Sequence, residues 1–256
     1  MDFLISAFAD ALPPAPDLAL AFAAVLFSTT LKAFAGFGFG LSVVPLLSLI
    51  MPPAEAVPMA LMLDMIGSTQ LVPMARKQAD WRSLKFLVPA AFVCIPFGVY
   101  ALSVVPGDDL RIAIAVILLA TVALMATGAR LPEHLPVPAV LTVGGMAGLL
   151  SGGAAMPGPP VMVYFLARPT AAAINRSSLL MFFFFTDAGS IATGLVSGIV
   201  GLKIVLLAVM LSPALILGNV TGHWLFGKAH ETLYRRIALS LLTIIAVVTL
   251  VEAIRN

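Results

Sequence analysis

Two stretches decide the fold: AGFGFGLSVVPLLSLIMPP, Ala35 to Pro53, and LSGGAAMPGPPVMVYFLARP, Leu150 to Pro169. A constant offset of 115 residues sets Gly36 on Ser151, Gly38 on Gly153 and Pro45 on Pro160. A second echo follows at an offset of 125, DLRIAIAVILL (Asp109 to Leu119) against YRRIALSLLTI (Tyr234 to Ile244). Self-similarity at this spacing divides the chain into two related halves. The expected organisation is an extracytoplasmic N-terminal segment at 1–16, a first membrane repeat at 17–129, a cytoplasmic linker at 130–136 and a second membrane repeat at 137–256.

Working outward from these stretches, the composition names their solvent. Hydrophobic residues make up 61% of the chain and charged residues 10%, and the mean hydropathy is +1.10. A water-facing surface cannot be built from so few polar groups, so most of the surface is expected to face lipid. Breaks at charges and at Gly/Pro clusters leave ten apolar segments: 17–35, 38–51, 55–75, 82–105, 110–129, 137–151, 154–167, 177–198, 203–226 and 235–254. A crossing needs about 20 residues at 1.5 Å each. Segments 38–51 and 154–167 are shorter and rich in Gly and Pro, which leaves re-entrant hairpins as the other reading.

Charge favours ten crossings. With both termini outside, eleven of the 14 Lys and Arg residues fall on the cytoplasmic side and only Arg111, Lys203 and Arg255 outside. The outer loops then gather Asp2, Asp10, Asp17, Glu55, Asp108 and Asp109. Five crossings per half is an odd number, so the two repeats would lie upside down relative to one another. Inverted repeats give a transporter two scaffolds whose rocking opens a central site to each side in turn. The other reading is a duplication that only builds a stable bundle.

Gly36, Gly38 and Gly40 strip side chains from one region of backbone, and Pro45 removes a helical donor. In the second half Gly152, Gly153, Pro157, Gly158, Pro159 and Pro160 do the same within nine positions. Backbone broken at membrane depth must line protein or a watery cavity. A helix that starts after such a break aims free N–H groups and a positive dipole end into that cavity, which suits an anion. The other reading is close helix packing through small residues, preferred for Gly194-xxx-Gly198 and Gly218-xxx-Gly222.

Polar residues inside the spans are costly unless they face the bundle interior. The substrate-binding set expected from the breaks and their polar neighbours is Gly36, Gly38, Gly40, Ser42, Pro45, Gly152, Gly153, Pro157, Gly158, Pro160, Asn175, Arg176, Ser177 and Lys32. Arg176 offers a planar fork suited to a sulfonate, sulfite or carboxylate, and otherwise reads as a positive-inside anchor. Asp64 and Asp187 lie deep in their segments and are proton-coupling candidates, with a helix-bonding role as the alternative. No cofactor or metal is expected: the single Cys94 allows no cysteine cluster, and no metal-ligand or nucleophile motif occurs. The implied partners are a small anionic substrate and the lipid bilayer, with room for a homodimer, and no nucleic acid.

The motifs AGFGFGLSVVPLL and SGGAAMPGPPVMVYFL, about 115 residues apart in an all-membrane chain, resemble the TauE/SafE sulfite exporter family over nearly the whole chain. That resemblance implies a bacterial inner-membrane, multi-pass permease for sulfite or related organosulfur anions, described as an exporter and not an enzyme. The family has a triple-glycine run before each proline, where this chain has Gly36-Phe-Gly-Phe-Gly40 and Ser151-Gly-Gly-Ala-Ala-Met-Pro-Gly158. An anion channel, or an uptake permease for small carboxylates or sulfonates, is the competing function. Transport that saturates and runs uphill separates a carrier from a channel.

Overall fold

The structure, a computed structural model, describes residues 14–35, 38–127, 135–166, 170–226, 240, 242–245 and 247–252. Its helices are α1 (Ala15–Ala35), α2 (Phe39–Ser48), α3 (Pro53–Thr69), α4 (Val72–Gln78), α5 (Trp81–Val104), α6 (Gly107–Thr127), α7 (Val137–Ala154), α8 (Gly158–Leu166), α9 (Ala172–Val196) and α10 (Leu202–Phe226). A shorter apolar helix follows at Leu242–Glu252. No strand occurs among the described residues. Gly36, the 130–134 part of the linker and much of the segment 235–254 lie outside the described residues.

Helix ends follow local chemistry. The Asp80 carboxylate accepts from the Arg82 and Ser83 amides, capping the start of α5. Pro53 opens α3 and Pro138 lies in the first turn of α7, where a missing N–H costs nothing. Asp108 and Asp109 sit in the first turn of α6, favoured by the dipole. At its far end α9 turns off through Gly198, whose φ is +74°. The Ile199 and Val200 amides there donate back to the Gly194 carbonyl. Gly194 and Gly198 therefore terminate a helix and do not form the helix–helix contact expected of them.

Among the described residues five helices are long and apolar enough to cross a membrane, or six if the bent pair α3–α4, which turns by 76°, is one span. Their outer faces are hydrophobic: Val93, Phe97 and Tyr100 are each more than 60% exposed along one side of α5. An apolar face of this kind, without a protein neighbour, is a lipid face. The helices α2 and α8 hold 10 and 9 residues. At 1.5 Å per residue each covers about half of a 30 Å hydrocarbon layer.

The most extensive packing joins α5 to α7, followed by α10 to α1. Both seams run on glycine. A Cβ at Gly144, Gly148 or Gly152 of α7 would stand 2.5, 2.2 or 2.4 Å from the carbonyls of Leu87, Ala91 and Ile95 on α5. A Cβ at Gly218 or Gly222 of α10 would stand 2.8 or 2.7 Å from the carbonyls of Leu26 and Thr30 on α1. Backbones this close gain dispersion contacts, the main attraction between helices where burial from water supplies little. Cys94 is half-buried against Gly145 in the first seam, consistent with a small packing residue.

The bundle has an acidic end and a basic end. At the acidic end Arg111 donates to the Ser48 carbonyl at 2.9 Å and bonds Asp108, while Lys203 bonds Glu55 at 2.9 Å. At the basic end, near Arg76, Lys77, Arg82 and Lys85, the Asp80 amide donates to Ser178 at 2.8 Å and Ser177 reaches Gln78 at 3.4 Å.

Candidate functional site

The two breaks meet in the middle of the bundle. Gly40, in the first turn of α2, lies so close to the end of α7 that a Cβ there would stand 1.9 Å from the Ala155 carbonyl oxygen. Ala155 holds φ +51°, the left-handed region that ends α7 and frees the chain to reverse into α8. Gly38 reverses the chain before α2 in the same way, at φ +94°. The first turn of α2 (Gly38, Phe39, Gly40, Leu41) and the turn into α8 (Met156, Pro157, Gly158) line one cavity of about 30 Å³. Two helix N-termini, one from each half, therefore face a shared space.

Lys32, Asp64, Phe39 and Phe183 line that cavity and also a larger one of about 50 Å³, making one chamber. The larger part is walled by Thr29 and Ala33 of α1, Gly67 and Ser68 of α3, Arg176 and Leu180 of α9, and Leu215 and Asn219 of α10. These wall residues lie toward the basic end of their helices, and Arg176 stands exposed at that mouth. Gly40 and Ala155, in contact with each other, wall the smaller part. A space of this size holds several waters or one small oxyanion.

The charges are concentrated where the two parts of the chamber join. Lys32 forms an ion pair with Asp64 and donates to Ser68 at 3.0 Å, with the Phe39 ring centroid 5.8 Å from its Nζ. Both charged side chains are less than a fifth exposed. Asp187, 2% exposed on α9, is close enough to Asp64 and Lys32 for its charge to interact with theirs. Its Oδ2 has no partner among the described residues, and neither has the Thr29 hydroxyl beside the chamber. The cluster thus joins α1 and α3 of the first half to α9 of the second. No group of three metal-ligating side chains occurs among the described residues.

The expected site residues separate into two sets. Lys32, Gly38, Gly40, Pro157, Gly158 and Arg176 line the chamber. Ser42 points back into its own helix, donating to the Gly38 carbonyl at 2.9 Å, and Pro45 is buried within α2. Gly152 packs on Ile95, and Gly153 lies at ordinary contact distance from Gly98. Pro160 sits in the first turn of α8. Asn175 is 5% exposed and bonds Thr170, so it ties down the approach to α9. Sequence reasoning missed Phe39, Phe183, Met156 and Thr29. Phe39 alone carried a signal, lying between two of the glycines.

Apolar helices around a charged, half-buried chamber between two helix breaks define a membrane protein of the transporter class. The profile of the sulfite exporter TauE/SafE family matches residues 20–249, nearly the whole chain, and the chain belongs to that family. Comparisons with curated proteins and with solved structures gave no match.

Proposed function

We propose that the protein exports a small sulfur-containing anion, such as sulfite or an organosulfonate, across the bacterial inner membrane by alternating access between two inverted repeats. The observation that carries this is the convergence of both broken helices on one chamber holding Lys32. Dipole ends and free amides at α2 and α8 favour an anion, and the ammonium supplies a fixed cation. The rings of Phe39 and Phe183 would flank a short organic tail.

The inverted arrangement draws support from exchange of partners. With the bent pair α3–α4 counted as one, the first helix of each half packs on the fourth of the other, α1 on α10 and α7 on α5, and the third helices α3 and α9 pack on each other. Each long first helix is followed by a short one that turns back, so α1–α2 and α7–α8 leave the sidedness of later loops unchanged whether or not they span. With the basic end cytoplasmic, the chamber faces inward. Single cysteines at Gln78 and Asp108, both exposed and at opposite ends, are expected to label from the cytoplasm and from outside respectively. Labelling of both from one face would remove this topology.

Calorimetric binding of sulfite, isethionate, taurine and small carboxylates to purified protein tests the substrate class, and exclusive binding of carboxylates would refute the sulfur-anion reading. Arg176, being exposed at the mouth, is expected to steer the anion more than to hold it. Arg176→Gln should slow association in a salt-dependent way and weaken affinity by about 1 kcal/mol or less, roughly fivefold. A hundredfold loss would move Arg176 into the binding centre.

A further inference from the structure

We infer that the Asp64–Asp187 pair is a proton site, and that a proton taken up there releases Lys32 to the substrate, so that anion and proton bind together. This rests on the anion-transport reading above and adds its coupling.

The argument is one of charge and contact. Lys32 is the cation common to both parts of the chamber, yet it is already engaged by Asp64 and Ser68. Lys32, Asp64 and Asp187 together have a net charge of −1 with both carboxylates ionised, which repels an anion. One proton shared between the two carboxyl groups brings the cluster to neutrality. When an anion takes Lys32, Asp64 loses its counter-ion beside a second carboxyl, and a proton replaces the lysine. Among the described residues the one other charge lining the chamber is Arg176, and Arg76 and Lys77 of α4 lie at the basic end. Arg176 of α9 stands at the mouth, the lining residues of α2 and α10 are uncharged, and the described charges of α5 and α6 lie at the ends of the bundle. Asp187 Oδ2, buried and without a partner among the described residues, is the free oxygen such a proton needs.

In the step the proton comes from water at the open mouth and ends on a carboxylate oxygen, and no covalent bond of the substrate changes. A doubly charged anion with one proton still moves one net negative charge, so an inside-negative potential drives it outward. A singly charged sulfonate would move as a neutral pair.

Isethionate is the probe, because a sulfonate keeps its single charge across the working pH range and any proton uptake belongs to the protein. Calorimetry of the full chain at alkaline pH, where the ligand-free pair carries no proton, in two buffers of different ionisation heat should count close to one proton per isethionate bound. The affinity should rise as pH falls, by at most about tenfold per pH unit for one linked proton. Asp64→Asn copies the protonated state. It should bind isethionate without proton uptake, with no pH slope, and more tightly than the wild type at alkaline pH, a gain that misfolding cannot imitate. Asp187→Asn should lower the proton count. Binding by the wild type with no proton taken up, or with sodium required instead, overturns the coupling and leaves the anion site standing, as does a pH slope retained in Asp64→Asn. Should no anion bind to the wild type, the functional reading fails, and infrared spectra of the ligand-free protein decide the proton site alone. A protonated-carboxyl band that grows in as the pH falls and is lost in Asp187→Asn supports it, and absence of that band at every pH at which the protein stays folded refutes it.

Discussion

Lys32→Gln is expected to remove sulfite and sulfonate binding while Lys32→Gln combined with Asp64→Asn recovers the fold but not the binding. Lys32 is the cation at the level where both broken helices begin, so its loss takes the charge-assisted bonds together with the field that draws the anion to depth. One such bond contributes about 1.5–3 kcal/mol, or about 10- to 150-fold in affinity, and the larger figure applies where water is scarce. The single variant also leaves Asp64 and Asp187 without a counter-ion. Removing one partner of a dry ion pair costs about 3–5 kcal/mol. Here the chamber admits water and the carboxylates can share a proton, so about 1–3 kcal/mol is the expected loss of stability. Thermal melting separates the two effects. A double variant as unstable as the single one would show that Lys32 supports the fold by packing, and an anion affinity within threefold of wild type in either variant would move the site away from Lys32.

Gly40→Val should abolish transport, and the damage should begin at the backbone. Its Cβ would lie 1.9 Å from the Ala155 carbonyl, a rigid atom at a helix end, so either α2 or the end of α7 must move. Overpacking of this kind costs about 1–3 kcal/mol and displaces the two N-termini that face the chamber. Gly38→Ala tests a different cause. Nothing lies within 4 Å of its Cβ position, but φ is +94°, so strain of about 1–2 kcal/mol is expected without collision. Gly153→Ala meets only ordinary contacts from 3.4 Å and should be tolerated. The expected order of lost transport is thus Gly40→Val, then Gly38→Ala, then Gly153→Ala. Equal loss at Gly40 and Gly153 would contradict the contact at Ala155, since a Cβ meets a carbonyl at 1.9 Å at the first and only at 3.4 Å at the second.

Much of this was legible in residue order. Hydropathy with so few charges required helices in lipid, because only a helix satisfies its own backbone there. The 115-residue echo located both breaks, since Gly and Pro act locally through φ and the missing donor. Lys32, Asp64 and Asp187 stood out because an ionisable group inside an apolar segment is costly wherever it is placed.

What tertiary packing alone decided was which of these residues meet. Gly40 and Ala155 are 115 positions apart and touch because two glycine seams, α5 on α7 and α1 on α10, bring the halves together. The pairing of Lys32 with Asp64, and the nearness of Asp187 to both, is likewise set by helix crossing, which no local pattern encodes. The same packing turned Gly152 and Asn175 to structural work and left Arg176 at the mouth. Sequence fixes which groups must find partners in lipid, because desolvation is a property of each group. The partner each one finds depends on distances that exist only once the helices have packed.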